Sequence, residues 1–114
     1  MGKIKPLSSL RNCVFKIQKA RKSVLAFVLP GGKRVYRPAI RVNGQWYYAD
    51  FEDAAQTILA GIEQDKNPPK GYGVPLVGAH YIVVDHGDAG LVLRPASVSE
   101  VEQWQREGNP VYLD

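Results

Sequence analysis

Two histidines and a single cysteine are the residues that could support metal or acid–base chemistry in this chain of 114 residues. The run Asp85-His86-Gly87-Asp88 groups two carboxylates with an imidazole, and such a set can ligate a metal or transfer a proton. The same residue types concentrate in turns for backbone reasons alone. Because the run separates two short strand patterns, we interpret it as a turn. His80 falls on the opposite face of a regular strand from Asp85, which disfavours a two-histidine site.

Cys13 and one glycine-rich run complete the set of residues that could act on a ligand. A lone thiol can form neither an intramolecular disulfide nor a zinc site built from cysteines, so we predict that Cys13 is a small buried residue. Gly71-Tyr72-Gly73 matches part of a dinucleotide fingerprint, but no strand pattern precedes it and no helix follows it directly. We therefore predict no catalytic residue, no metal site and no cofactor, and we expect a binding protein rather than an enzyme.

The clearest local signal is a hairpin that turns at Asn43-Gly44, since a type I′ turn needs positive φ at both central residues. This turn pairs Val42 with Gln45 and Arg41 with Trp46. Alternation along the strands then assigns two faces. One face can pack beneath a helix and carries Tyr36, Ile40, Val42 and Tyr47. The other face carries Arg37, Arg41, Trp46 and Tyr48.

Two guanidinium groups beside two aromatic rings can pair with phosphates and stack on bases. Lys33 and Arg34 add two cations where the first of these strands begins. We therefore predict a nucleic-acid-binding face made of Arg37, Arg41, Trp46, Tyr48, Lys33 and Arg34. The alternative is an ordinary exposed sheet face, or a Trp46 that is buried under another element.

The elements before this hairpin are less uniform in pattern. Ser8 to Lys22 has apolar residues at helical spacing and favours a helix, although 13–17 also has the pattern of a short strand. Val24 to Leu29 is apolar on both faces and predicts a strand interior to a sheet, followed by a turn at 30–33. Arg34 to Val42 predicts a second strand, in which Pro38 indicates an edge position or a bulge. Residues 1–6 are expected to be frayed.

The elements after the hairpin alternate between helix and strand. Asp50 is a suitable N-cap for a helix over 51–64 with one continuous apolar stripe. A loop over 67–78 follows, then strands over 80–85 and 91–94, and a capping box at Ser97 that opens a helix through Glu107. Residues 111–113 are predicted to add an edge strand. This order predicts one α+β domain over 1–114, with a single antiparallel or mixed sheet packed by two or three helices.

Charge divides the chain into two unequal parts. Residues 1–48 carry eleven Lys or Arg and no Asp or Glu, whereas residues 49–114 carry four Lys or Arg and eleven acids. Such a division predicts a dipolar molecule with one basic side, provided that the two parts do not interleave in the fold. The alternative is that the two parts pack together and partly neutralise each other.

The segment YRPAIRVNGQWYYADFEDAAQTILAGI resembles the DNA-binding domain of the AP2 and integrase amino-terminal type, in which a three-stranded sheet is followed by a helix. There, too, a hairpin around a V-N-G turn leads into an Ala-rich amphipathic helix. The resemblance implies a sheet face that reads the DNA major groove, and here that face would include Arg37, Arg41, Trp46 and Tyr48. It covers about a quarter of the chain, and residues 66–114 have no counterpart in it.

The leading hypothesis is a weak nucleic-acid-binding accessory protein that uses the basic, aromatic hairpin face. The alternative is a protein-binding module or inhibitor encoded by a mobile element, docking through the dipolar surface. A third hypothesis is a small-molecule-binding protein with a pocket beneath the 67–78 loop. The longest apolar run, Val24 to Leu29, is far too short to cross a bilayer, and no export signal is visible, so we expect a cytoplasmic protein.

Overall fold

The computed structural model describes residues 3–27 and 30–113. Two α-helices and eight β-strands follow one another in this part of the chain. The strands are β1 (Lys5–Pro6), β2 (Val14–Lys16), β3 (Lys19–Phe27), β4 (Arg34–Val42), β5 (Gln45–Tyr48), β6 (His80–Asp85), β7 (Leu91–Pro95) and β8 (Val111–Tyr112). The helices are α1 (Glu52–Lys66) and α2 (Val98–Arg106), and short 3₁₀ turns lie at Leu7–Leu10, Pro30–Gly32 and Gly87–Ala89.

These strands form two four-stranded sheets, with the orders β1-β5-β4-β3 and β7-β6-β2-β8. Most neighbours are antiparallel, but β1 runs parallel to β5 and β8 runs parallel to β2. The mixed content of helix and strand that the sequence predicted is confirmed, whereas a single sheet is wrong. Two sheets form because β2, an early strand, pairs with β6 and β8 of the later part of the chain and not with the strands that follow it directly.

The hairpin of β4 and β5 has the predicted register, with Val42 opposite Gln45 and Arg41 opposite Trp46. Asn43 and Gly44 have φ values of 49° and 79°, as a type I′ turn requires. The side chain of Gln18 fixes the turn from outside, since its Oε1 accepts a hydrogen bond from the Gly44 amide at 2.9 Å.

Pro38 lies in β4, in the interior of the first sheet, so the edge position is wrong, and the bulge lies in the partner strand β3 rather than in β4. The register shifts between Arg21 and Val24 of β3, opposite the proline. Because proline has no amide hydrogen to donate, an irregularity in the neighbouring strand is expected there. The edge strand is β3 itself, not the interior strand predicted from its apolar residues. It begins at Lys19, and residues 28–29 of that predicted strand lie outside the described residues.

The helix favoured for Ser8 to Lys22 is wrong. The chain forms one 3₁₀ turn at Leu7–Leu10 and then enters β2, which matches the strand alternative for 13–17. Leu7, Leu10, Phe15 and Ile17 are all buried, so the apolar spacing reports burial against two sheets rather than one helix face. The frayed start is wrong for Lys5–Pro6, which pair with β5.

One core joins both sheets, and α1 packs into it, in contact with β3 and β4 of the first sheet and β7 of the second. Ile40 and Val42 enter it from the first sheet, and Tyr81 and Val83 from the second. The second helix, α2, covers the opposite face of the second sheet, where Val101 and Trp104 pack with Val14, Ile82 and Val84. Its capping box at Ser97 is present as predicted.

Of the predicted apolar stripe of α1, Ala54, Ala55 and Ile58 are buried in the core, and Phe51 and Ile62 are partly buried against it, whereas Leu59 is 43% exposed. Its N-cap is Phe51 rather than the predicted Asp50, and no side chain caps it. Asp50 instead accepts a hydrogen bond from the Ser8 amide through Oδ1 at 2.9 Å. Neither described helix is both long enough and apolar enough to span a bilayer.

Candidate anion-binding surface on the first sheet

Three neighbouring strands of the first sheet bring Lys19, Arg41 and Trp46 together in one row. Lys19 of β3 is paired with Arg41 of β4, and Arg41 is paired with Trp46 of β5. Directly paired residues project to the same face, with Cβ atoms about 5 Å apart. The adjacent Ile40 packs into the core with α1, so this row lies on the sheet face turned away from α1.

Arg21 joins this row from the next position on the same face of β3. Its guanidinium carbon lies 5.1 Å from the centroid of the Trp46 indole. To reach the indole, the side chain crosses β4 at Ala39, the residue paired with Arg21, whose methyl group leaves room. A cation–π contact at an exposed site stabilises by about 0.5–1 kcal/mol. Trp46 therefore holds Arg21 beside the row, and we call Lys19, Arg21 and Arg41 the basic cluster.

No carboxylate neutralises the basic cluster within residues 3–27 and 30–113, since none of its three members forms an ion pair there. Like charges that face each other across two strands destabilise a sheet. Lys19 and Arg41 form such a pair, and Arg21 adds a third positive charge. The sequence thus concentrates charge at a cost in stability, and a bound anion would offset this cost.

The surroundings of the basic cluster do not compensate for it. All four strands of the first sheet come from the part of the chain that contains no Asp or Glu. The acidic residues that the structure describes follow it, on α1, β6, α2 and the loops around them. The two halves are not separate in the fold, since α1 packs on β3 and β4 and β2 lies in the second sheet, but the basic cluster lies on the sheet face turned away from the acidic helix α1.

The residues predicted for the nucleic-acid-binding face have different positions in the fold. Arg41 and Trp46 lie in the row described above. Arg37 shares their face but sits opposite Val24, and its Nε is buried without an acceptor among the described residues. Tyr48 is only 8% exposed. Lys33 and Arg34 are exposed at the start of β4, away from the row.

Tyr48 is buried because a small apolar cluster fills this part of the sheet face. It packs with Ala26 and Ala39, and Ile4, Val24 and Trp46 border them. The prediction that Tyr36 packs beneath the helix is wrong. Tyr36 lies where β4 extends past β5, and it is 70% exposed.

Lys19 and Arg21 were not placed on the predicted hairpin face, although both lie in the basic cluster. They were assigned to the helix favoured for Ser8 to Lys22, among basic residues that are solvated or bind an anion, and their strand was predicted to begin only at Val24. An antiparallel pairing of β3 with β4 that continued past the bulge would have placed Lys19 opposite Arg41. The feature that places Lys19 beside Arg41 is therefore the pairing of β3 with β4. The polar residues of 19–23 do not show the apolar pattern by which a strand is predicted, so this pairing was not expected.

A groove of about 430 Å³ lies elsewhere, beside the 67–78 loop, and is lined in part by Gly61, Gln64, Tyr72 and Tyr81. The loop is fastened to α1 by Asp65, whose carboxylate accepts hydrogen bonds from the Tyr72 hydroxyl at 2.7 Å and from two amides, of Leu76 and Val77, at 3.0 Å. Leu76 is 1% exposed and fills the space beneath the loop. The loop is therefore packed on α1, with the side chain of Leu76 filling the space that a ligand would need.

The hydrogen bonds to Asp65 also change its acidity. Burial favours the neutral carboxyl, but the hydrogen bonds from Val77, Tyr72 and Leu76 outweigh it, and the pKa of Asp65 lies below its usual value. Burial and the bond to Asp65 together raise the pKa of the Tyr72 hydroxyl to about 12. The two groups thus keep one charge between them near neutral pH.

Asp85, His80 and Cys13, which were considered for metal or acid–base chemistry, lie in a turn or are wholly or partly buried. The Oδ1 atom of Asp85 accepts a hydrogen bond from the Gly87 amide at 2.8 Å, inside a turn. Burial, followed by the charge of Lys16, lowers the pKa of His80. Cys13 is buried, and burial raises its pKa to about 11, although a hydrogen bond from the backbone of Tyr112 acts to lower it. No group of three or more His, Cys, Asp or Glu side chains suited to a metal ion occurs among the described residues.

Comparisons of the chain with models of protein families, with curated proteins and with solved structures give no match.

Proposed function

We propose that the protein binds nucleic acid through the outer face of its first sheet, with phosphate groups held by the basic cluster. The observation that carries the proposal is the row of Lys19 and Arg41 with Arg21 stacked beside it, which no carboxylate neutralises within the described residues. Phosphate is the anion that such a surface meets most densely on a nucleic acid.

Charge at longer range supports the same proposal. The sheet that carries the basic cluster belongs to the half of the chain with eleven cations and no acid. Such a surface attracts a polyanion from a distance and orients it before contact.

The indole of Trp46 also supports the proposal, because it holds the guanidinium of Arg21 in position before any ligand arrives.

The experiment compares binding with stability in the same variants. Fluorescence anisotropy with short labelled DNA and RNA, single-stranded and duplex, at low salt gives the affinity. Lys19→Gln should weaken binding, and its melting temperature should stay unchanged or rise, because one charge of a repelling pair is removed. A structural role for Lys19 would instead lower the melting temperature.

The matched control is Arg106→Ala, which removes an exposed cation from α2, on the acidic half of the chain. It lowers the net charge by the same amount and should leave the affinity nearly unchanged. If Arg106→Ala weakens binding as much as Lys19→Gln does, the surface is not specific to the first sheet. If none of the four nucleic acids binds at micromolar protein in low salt, the proposal is wrong, and a protein or small-molecule partner takes its place.

A further inference from the structure

We infer that the nucleic acid held by this surface is a duplex, recognised through its phosphate backbone, and not a single strand held by base stacking. The inference rests on the proposed function and states which ligand the same site takes. It follows from the state of the two aromatic rings beside the basic cluster.

Binding of single strands without sequence preference usually combines phosphate contacts with aromatic rings on which bases stack. Here the guanidinium of Arg21 already covers one face of the Trp46 indole, at 5.1 Å from its centroid. A base could stack on that face only by displacing Arg21, which would remove one of the three phosphate-binding groups. Trp46 is therefore a positioning residue for Arg21.

The second ring offers no substitute. Tyr48 is packed with Ala26 and Ala39 and has no open face for a base. Tyr36 is well exposed, but alternation along β4 puts it on the opposite face from Arg41. Among the described residues, the face that carries the basic cluster thus has cations in place, while Trp46 is engaged by Arg21 and Tyr48 by its apolar cluster.

A site that uses charge alone gains most from the ligand with the highest charge density. A DNA duplex carries phosphates on two strands, one charge for about every 1.7 Å of its axis, and releases about 0.9 counterions per neutralised phosphate, against about 0.7 for a single strand. Three phosphate contacts give a slope of log affinity against log salt of about −2.7 for a duplex. Its affinity should then fall about 40-fold between roughly 50 and 200 mM salt, against about 20-fold for a single strand.

The test uses one labelled duplex and each of its separated strands, matched in length, in anisotropy titrations across that range of salt. The full chain should bind the duplex more tightly than either strand, with the steeper slope. Arg21→Ala separates the two modes of binding. It should weaken duplex binding and reduce the slope by about 0.9, whereas a stacking site would gain an open indole and bind single strands as well as before or better.

Trp46→Leu provides the second measurement, with its melting temperature as the check on folding. If Trp46 only positions Arg21, this variant should weaken duplex and single-strand binding by similar, modest factors. If bases stack on Trp46, single-strand affinity should fall about tenfold or more while duplex affinity changes little. Tyr36→Leu is the control, because it removes an exposed ring from the opposite face and should change neither affinity.

Each outcome separates this inference from the proposal beneath it. Tighter binding of the duplex with a reduced slope in Arg21→Ala supports both. Single strands that bind as tightly as the duplex, or that lose affinity selectively in Trp46→Leu, overturn the duplex inference and leave nucleic-acid binding in place. The absence of binding to duplex and strands alike overturns both.

Discussion

Replacing Gly61 with alanine tests how the 67–78 loop is packed on α1, because two effects of opposite sign meet at this position. Gly61 lies in the interior of α1, where alanine is normally the more stable residue by about 1 kcal/mol. A Cβ atom built on Gly61 would lie 2.8 Å from the Cβ of Leu76 and 3.0 and 3.1 Å from its two Cδ atoms. The sign of the measured change shows which effect is larger.

We expect the steric effect to be larger. The closest atom is the Cβ of Leu76, which is fixed to the backbone and cannot rotate away. That backbone is held in turn, since the amide of Leu76 donates to the carboxylate of Asp65 at 3.0 Å. Overpacking of a filled core costs about 1–3 kcal/mol, so Gly61→Ala should reduce the free energy of unfolding by about 1 kcal/mol net. For a domain of this size the melting temperature should fall by about 4 °C.

Urea denaturation followed by circular dichroism measures the change, with the m-value required to stay constant. Gly73→Ala is the control, in the 67–78 loop that packs against Gly61, because a Cβ atom added at Gly73 would meet no atom within 4 Å and the φ angle there is not positive. The control should be neutral or slightly stabilising. A Gly61→Ala protein about 1 kcal/mol more stable than the parent would refute the close packing of Leu76 on α1.

Three further substitutions and probes test other parts of the fold. Ile58→Asp places an unpaired charge in the core and should destabilise the protein by several kcal/mol, and a melting temperature equal to that of the parent would contradict this. Asp65→Asn should cost about 1–2 kcal/mol at neutral pH from weakened hydrogen bonds. Because the pKa of Asp65 is lowered on folding, its contribution is complete above the pKa of the unfolded chain and is lost as pH falls through the lower folded value, so urea midpoints of parent and variant should converge in acid. Finally, acrylamide should quench Trp46 more than Trp104 in single-tryptophan variants, since Trp104 of α2 packs against the second sheet with its indole nitrogen buried. The reverse order would contradict that arrangement.

Elements specified by local chemistry could be predicted from the sequence. The Asn43-Gly44 turn fixes its own dihedral angles and therefore the register of every pair in its hairpin. The capping box at Ser97 likewise depends on residues three positions apart. In both cases the interacting groups are neighbours in sequence, so no distant partner had to be known.

Elements specified by distant partners could not be predicted in this way. The apolar residues of 7–17 serve two sheets, and their spacing imitates a helix face only by coincidence. The extent of β3 depends on its pairing with β4 beyond a bulge, which polar residues conceal. Two of the four residues of the candidate site could therefore be predicted. The hairpin register places Arg41 and Trp46 side by side, whereas Lys19 and Arg21 lie beside them only because β3 pairs with β4.

The position of β2 has a consequence for the order in which the chain folds. Val14 of β2 pairs with Ile82 of β6 on one side and with Val111 of β8 on the other. During synthesis β2 therefore emerges before either of the strands with which it pairs. Contacts between residues so far apart along the chain form slowly, because a long loop must close first. The strands of the first sheet can pair as soon as residue 48 has emerged, while Val14 and Phe15 wait with unpaired backbone and exposed apolar side chains. Until the last strand docks, β2 is the segment that an aggregating neighbour or a chaperone would encounter.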